Sequence, residues 1–359
     1  MKKFRFGTAR FLLALALLAG SGCRIRDYMV PWIVDGELEK IKTQQAHRCD
    51  SVAWVMRGDS AQRVDYTVDF APPDRLRYEF QPSSATGAAI VLCVSTEAFM
   101  LYDPCSNRAE RVAGLPPFSE QTFVEFRKAA LRHTLEQNRA YAENAKEDPN
   151  QFWVVRTEPK EDSPWPFGTS SYISKETKNN LRATEQDKSG KILNRFETTE
   201  RTYEVDFPAG YFTVRLPEGC AVVEYDLSTL RPLDPGDSDF PERVPREHAG
   251  LALARIHRSP DRRVFDYTLR QRVLFYAERR QDEAPLLRSP VSREVALPDS
   301  KAYINYAGTY TTCRWRSGGW DRLIFTNLGP EQAFALARHL TLREQEATLP
   351  AAGAPEQQR

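Results

Sequence analysis

Six cysteines (Cys23, Cys49, Cys93, Cys105, Cys220, Cys313) and five histidines (His47, His133, His248, His257, His339) carry the chain's strongest nucleophilic and metal-binding chemistry. Their spacing does not assemble it. No Cys-x-x-Cys or paired-histidine pattern of a zinc site occurs. His47 and Cys49 are the nearest His/Cys pair, and no third group is implied to orient the imidazole against the thiol. A G-x-S-x-G elbow, an H-E-x-x-H helix and a phosphate-cradling P-loop are also missing from the sequence. With 49 acidic residues in the chain, chance pairs are common and none stands out as a dyad. The expectation is a protein that is not an enzyme, with no catalytic residue, metal or cofactor. Cys93 and Cys105 lie near each other across an expected hairpin and are the first candidates for a disulfide, although spacing leaves other pairings open. Trp315 and Trp320 flank Arg316-Ser317-Gly318-Gly319. That is either a hairpin tip able to hold a partner or glycan, or a tight turn with one packed Trp.

Cys23 stands in a different context. Lys2, Lys3, Arg5 and Arg10 precede a Leu/Ala-rich run at 11–19, and Gly20-Ser21-Gly22 leads into the cysteine. A basic stretch, a short apolar stretch and small residues read as a secretory signal over 1–22. The apolar run is too short to span a bilayer, which needs roughly 20 residues. Small residues directly before Cys23 resemble the lipobox of bacterial lipoproteins, with Gly20 where Leu is usual. The resemblance implies acylation of Cys23, with palmitate-type chains holding the protein at about 0.8 kcal/mol per buried CH₂. Cleavage by an ordinary signal peptidase, leaving a plain thiol, is the alternative. Arg24 in place of Asp implies, by the same resemblance, sorting to the outer membrane with the globular part in the periplasm.

The elements that must position any site are mostly strands. Hydrophobic residues make up 41% of the chain and aromatics 11%, enough to build a core. The formal charge of +1 becomes −3 once the four basic residues of the signal are removed, so nothing marks a nucleic-acid partner. Val34–Gln45 reads as a short amphipathic helix. Period-two alternation then predicts strands at 65–70 and 75–80, with Leu76, Tyr78 and Phe80 on one face and Pro72-Pro73-Asp74 as the turn. The meander continues at 89–94, 98–102 and 108–112, with Asp103-Pro104 as a turn. Ser119 caps an expected helix running to about Lys146. Strands follow at 151–157, 172–174, 181–186, 192–199 and 211–214, with Gly190 turning the chain before Ile192.

Residues 229–247 are rich in proline and acid and read as a linker. Beyond it, strands are expected at 251–256, 273–276, 292–297, 302–306, 311–315 and 323–325, then a helix over 330–340 with Pro330 in its first turn. The resulting division is a tether at 23–33, a main domain at 34–228, the linker, a small α+β domain at 248–343 and a disordered tail at 344–359.

The segments PDRLRYEF (73–80), FMLYDPCSNRAERV (99–112) and LRATEQDKSGKILNRFETTE (181–200), in that order, resemble the LolA/LolB-like lipoprotein-carrier family, with RseB/MucB-like envelope proteins as relatives. The resemblance implies an α+β fold of mainly antiparallel β-sheet. It would be an incomplete, curved β-barrel with a helical lid and a smaller C-terminal α+β domain. It further implies a concave apolar face able to hold acyl chains. Leu76, Tyr78, Phe80, Val91, Phe99, Leu101, Phe152 and Val154 are the candidates for that face, with ordinary core packing as the alternative for each. The family's soluble carrier uses an arginine just before the Pro that opens its third strand; Pro72 stands there in this chain. The expected function is therefore non-catalytic: an anchored envelope protein binding lipid or the acyl chains of a lipoprotein, in lipoprotein sorting or lipid handling. An envelope-stress regulator or assembly factor binding a membrane protein is the alternative.

Overall fold

In the computed structural model of the 359-residue chain, the described residues are 30, 33, 36, 45–73, 75–81, 90–94, 98–115, 138–161, 163–229, 244–259, 262–269, 272–307 and 310–348. The signal, Cys23, most of the linker and the end of the tail lie outside them, as does the helix expected over 34–45 apart from its residues 36 and 45. No helix among the described residues is long and apolar enough to cross a membrane.

The chain forms two compact units: residues 1–44 with 135–197, and residues 45–134 with 198–359. The C-terminal strands and helix thus belong to the same unit as the early meander, a grouping that the linear division at the linker does not give.

The first unit is an antiparallel sheet of β7 (Asn138–Asn144), β8 (Phe152–Pro159), β9 (Gly168–Ser174), β10 (Asn180–Gln186) and the first half of β11 (Ile192–Tyr203), in the order β7-β8-β9-β10-β11. β7 corrects the last part of the helix expected from Ser119 to Lys146, whose residues 119–137 lie outside the described residues. Its alanines read as helix formers, yet they alternate with Arg139, Tyr141 and Glu143 and pair against β8. Gly190, at φ +83°, closes the β10–β11 turn through Asp187 as expected.

The second unit holds two sheets. Sheet I contains β1 (His47–Arg57), β2 (Ser60–Ala71), β3 (Arg75–Phe80), β4 (Ile90–Val94), β5 (Ala98–Asp103), β6 (Arg108–Ala113) and β12 (Ala221–Asp226), beside the second half of β11. From β1 to β6 each strand pairs antiparallel with the next; β12 returns to lie parallel to β6. The strand expected over 211–214 is instead two successive turns, closed by Tyr211 N–H to Pro208 and Thr213 N–H to Gly210.

A short ribbon of β13 (Glu247–His248) and β14 (Leu251–Ala252) leads into sheet II. Sheet II contains β15 (Arg255–Ser259), β16 (Arg262–Asp266), β17 (Leu274–Arg280), β18 (Arg293–Ala296), β19 (Lys301–Ala307), β20 (Tyr310–Ser317) and β21 (Trp320–Thr326). Its order is β15-β16-β17-β21-β20-β19-β18, all antiparallel. Helix α1 (Pro330–Thr348) lies on one face of sheet II, burying Phe334, Ala337 and Leu340 as their spacing predicts. Trp315 is fully buried there, stacked on Tyr276, while Trp320 lies half-exposed between Arg263 and Arg280. Gly318 and Gly319 supply the positive φ that the intervening turn needs.

Candidate functional site

Directly opposed residues on neighbouring strands share a face, so the register sorts the candidates. Tyr78 faces Leu92, Leu92 faces Leu101, Leu76 faces Val94, and Val94 faces Phe99. Leu76, Tyr78, Phe80, Phe99 and Leu101 therefore do share one face of sheet I. That face is not open. Phe99 packs edge-on against Phe325 of β21 at 5.3 Å, and Tyr225 of β12 against Phe275 of β17 at 5.6 Å. Phe99 and Leu101 are fully buried, and Phe80 is 1% exposed with its ring stacked on Tyr66. Sheet II thus covers this face at Phe99 and Tyr225, where Phe99 and Leu101 are placed in a sandwich core. Leu76 and Phe80 are buried on the same face, and Tyr78 is half-buried beside Phe80.

Between the two sheets sits a charged cluster that the sequence did not advertise. Arg314 of β20 donates to Glu110 of β6, and both are buried. Arg279 bridges Asp321 at 3.0 Å and Asp282 at 3.1 Å. Arg316 binds Asp321 at 2.6 Å, and Arg108 reaches Asp282 at 3.4 Å and the Pro285 carbonyl at 2.8 Å. A cavity of about 20 Å³ opens in this cluster, lined by Arg108, Arg279, Arg314, Glu110, Asp321 and Tyr225 among others. It has room for a water molecule, not for an acyl chain. Burial holds the Tyr225 phenol well above its ordinary value, with Glu110 adding to the effect.

The opposite face of sheet I carries Val91. Glu79 faces Val91, and Arg77 faces Cys93, which in turn faces Met100. Val91, Cys93, Met100, Ala98, Tyr102, Ala109 and Ala113 lie on this face across β4–β6, with Arg111 among them opposite Met100 and paired to Glu224. Val91 is thus placed on the face away from the other candidates. At one side of this face the segment 204–212 folds over β2 and β3. Tyr211 donates its hydroxyl to the buried Asp69 at 2.5 Å, and Arg48 holds the same carboxylate at 2.7 and 3.0 Å. Arg77 donates to the Tyr211 carbonyl at 2.8 Å and lies 4.8 Å over its ring. Phe207 and Phe212 complete a three-ring cluster with Tyr211. Burial and the Asp69 hydrogen bond push the Tyr211 phenol up to about 12.

Phe152 and Val154 belong to the first unit. There they share a face with Glu143, Tyr172 and Arg182, not with the apolar row. Arg182 sits 3.7 Å over Tyr172, and Arg156 pairs with Glu143 at 2.9 Å. The unit's apolar row has the other parity: Trp153, Val155 and Ile173.

The Cys93–Cys105 disulfide is not formed; Cys49, Cys93, Cys105, Cys220 and Cys313 are free thiols. Cys93 opposes Met100. Three more strand residues, about 10 Å of rise, separate that level from the Asp103–Arg108 end of the hairpin where Cys105 turns. A disulfide needs its Cα atoms within roughly 7 Å. Burial pushes the Cys93 thiol up to about 12, away from the reactive thiolate. Among the described residues no group of three or more His, Cys, Asp or Glu side chains is placed to hold a metal ion.

No family model matches the chain, and no curated protein does. Among solved structures it is similar to the Pseudomonas aeruginosa MucA/MucB complex, with 12% identity over 85% of this chain and 96% of that one, at a TM-score of 0.39. It is also similar to a putative outer membrane lipoprotein-sorting protein domain from Vibrio parahaemolyticus (11% identity, 50% and 94% covered, TM-score 0.30). A third is a LolA superfamily protein from Nitrosomonas europaea (9% identity, 50% and 97% covered, TM-score 0.28). At these scores the likenesses carry no argument about what this chain binds.

Proposed function

We propose that this chain is a non-catalytic envelope protein that binds lipid or a lipoprotein's acyl chains against the Val91 face of sheet I. The observation that supports it is the division of labour between the two faces. One is covered at Phe99 and Tyr225 by the chain's own sheet II. The other carries a second row of small and soft side chains, interrupted by Arg111 and bounded by the Tyr211 cluster. A methionine and a cysteine there suit irregular alkyl surface. Burial at roughly 25 cal/mol per Å² would supply the affinity. Cys93 and Met100 are already buried, so entry of a chain displaces existing contacts. An acylated Cys23 would hold the protein at the membrane that supplies the ligand.

The test is native mass spectrometry with lipid extraction, on protein exported to the periplasm with Cys23→Ser. An acylated mass that co-purifies, and is lost in Met100→Glu, supports the proposal. A clean apo mass in a folded protein overturns it. A second reading, binding of a protein partner, draws on β12, which ends sheet I with Val222 43% exposed and can accept an added strand.

A further inference from the structure

We propose that the cavity between the two sheets of the second unit is a binding site for one small monoanion of chloride size. Charge is unbalanced in a sheltered place. Arg108, Arg279, Arg314 and Arg316 are linked by ion pairs to Glu110, Asp282 and Asp321. Arg108, Arg279 and Arg316 share the two carboxylates of Asp282 and Asp321, which leaves one positive charge in excess, and Arg314 with Glu110 forms a separate neutral pair beside them. Arg316 (27% exposed) and Asp282 (40%) lie at the rim of the site, and the other members are more sheltered. The Arg314 side chain is 3% exposed, that of Asp321 8%, and those of Arg108 and Arg279 are 14% and 17%. An uncompensated charge in such surroundings is costly, and among the described residues no further carboxylate is ion-paired to Arg108, Arg279 or Arg316.

The donors needed for an anion are also present. Arg314 spends its two terminal nitrogens on Thr312 and Glu110, while its buried Nε has no hydrogen-bond partner. Guanidinium N–H groups are strong donors to anions and cannot be neutralised by losing a proton. The cavity of about 20 Å³ that Arg108, Arg279 and Arg314 line fits a single halide-sized ion. An ion there would tie β6 and β12 of sheet I to β17 and β20 of sheet II, strengthening the contact that seals the sandwich.

The experiment uses the full mature chain and sodium salts of chloride, bromide, sulfate and gluconate at matched ionic strength. Chloride and bromide should raise the melting temperature saturably, by several degrees over gluconate. Chloride-35 NMR lines should broaden with the protein and sharpen on adding bromide. Arg108→Gln removes one lining guanidinium and with it the excess charge. That variant should melt at the same temperature in chloride and gluconate, with no line broadening. If it does not fold, the wild-type salt series and the NMR titration decide alone. Equal melting in all four salts, or stabilisation by sulfate without chloride, overturns the proposal.

Discussion

Replacing Phe99 with alanine separates a sandwich core from a ligand cavity. The ring is fully buried and meets Phe325 edge-on at 5.3 Å across the two sheets. Removing a buried Phe costs about 3–5 kcal/mol, of which about 0.5–1.5 belongs to a well-oriented aromatic pair. A Phe that merely lined an open acyl cavity would lose under about 1 kcal/mol, because one of its faces would have no partner atoms to forfeit. Urea unfolding followed by far-ultraviolet circular dichroism reads the difference. At a slope of about 3 kcal/mol/M, the core reading moves the midpoint down by about 1–1.7 M with the slope unchanged. A shift below about 0.3 M would refute the claim that sheet II covers this face at Phe99.

Three further outcomes are expected. Arg314→Met strands the Glu110 carboxylate between the sheets and should cost about 3–5 kcal/mol in the same assay. Adding Glu110→Leu should restore much of that loss. Thiol labelling of the native protein at pH 8 should be fast at exposed Cys105 and negligible at Cys93 and Cys313, whose thiols burial pushes up to about 12; quick labelling of Cys313 without denaturant would contradict its placement. Burial lowers the His47 and His248 imidazoles below their ordinary value of 6.5. The unfolded chain then binds more protons below that value, so stability should be full above pH 6.5 and decline as the pH falls through it. A free energy flat between pH 7.5 and 5.5 in a variant series lacking these two imidazoles, against a slope in the parent, is the check.

Much of the strand pattern was legible because half-buried strands announce themselves by alternation. Arg75–Phe80 was read to the residue, and β4, β5, β6, β10 and β19 within one or two. β1 (His47–Arg57) was missed although its burial alternates, because the inward row His47, Cys49, Ser51, Ala53 and Val55 mixes polar and small residues and so reads as no apolar stripe. β12 was missed because it pairs in parallel with a strand more than a hundred residues earlier, which no local pattern records. The alanines of β7 imitated a helix.

The site was less legible than the fold. Leu76, Tyr78, Phe80, Phe99 and Leu101 were correctly placed on one face, since parity follows from local register. What covers that face is a tertiary fact: β21 lies more than two hundred residues away in sequence. Val91 was grouped with the wrong parity, and Phe152 and Val154 come from the other unit. The ion-pair cluster was invisible for the same reason. Its arginines and acids looked like ordinary solvated strand faces until two sheets enclosed them.

In the proposed function an acyl chain lies against the Val91 face and not against the Phe99 face. Photo-crosslinking reads this directly. A fatty acid bearing a diazirine is bound to the Cys23→Ser protein, irradiated, and its adducts are mapped residue by residue by tandem mass spectrometry. Adducts at Val91, Cys93 and Met100, suppressed by excess unlabelled fatty acid, are predicted. Adducts at Phe99, Leu101 or Phe325, or none that unlabelled fatty acid suppresses, would contradict it.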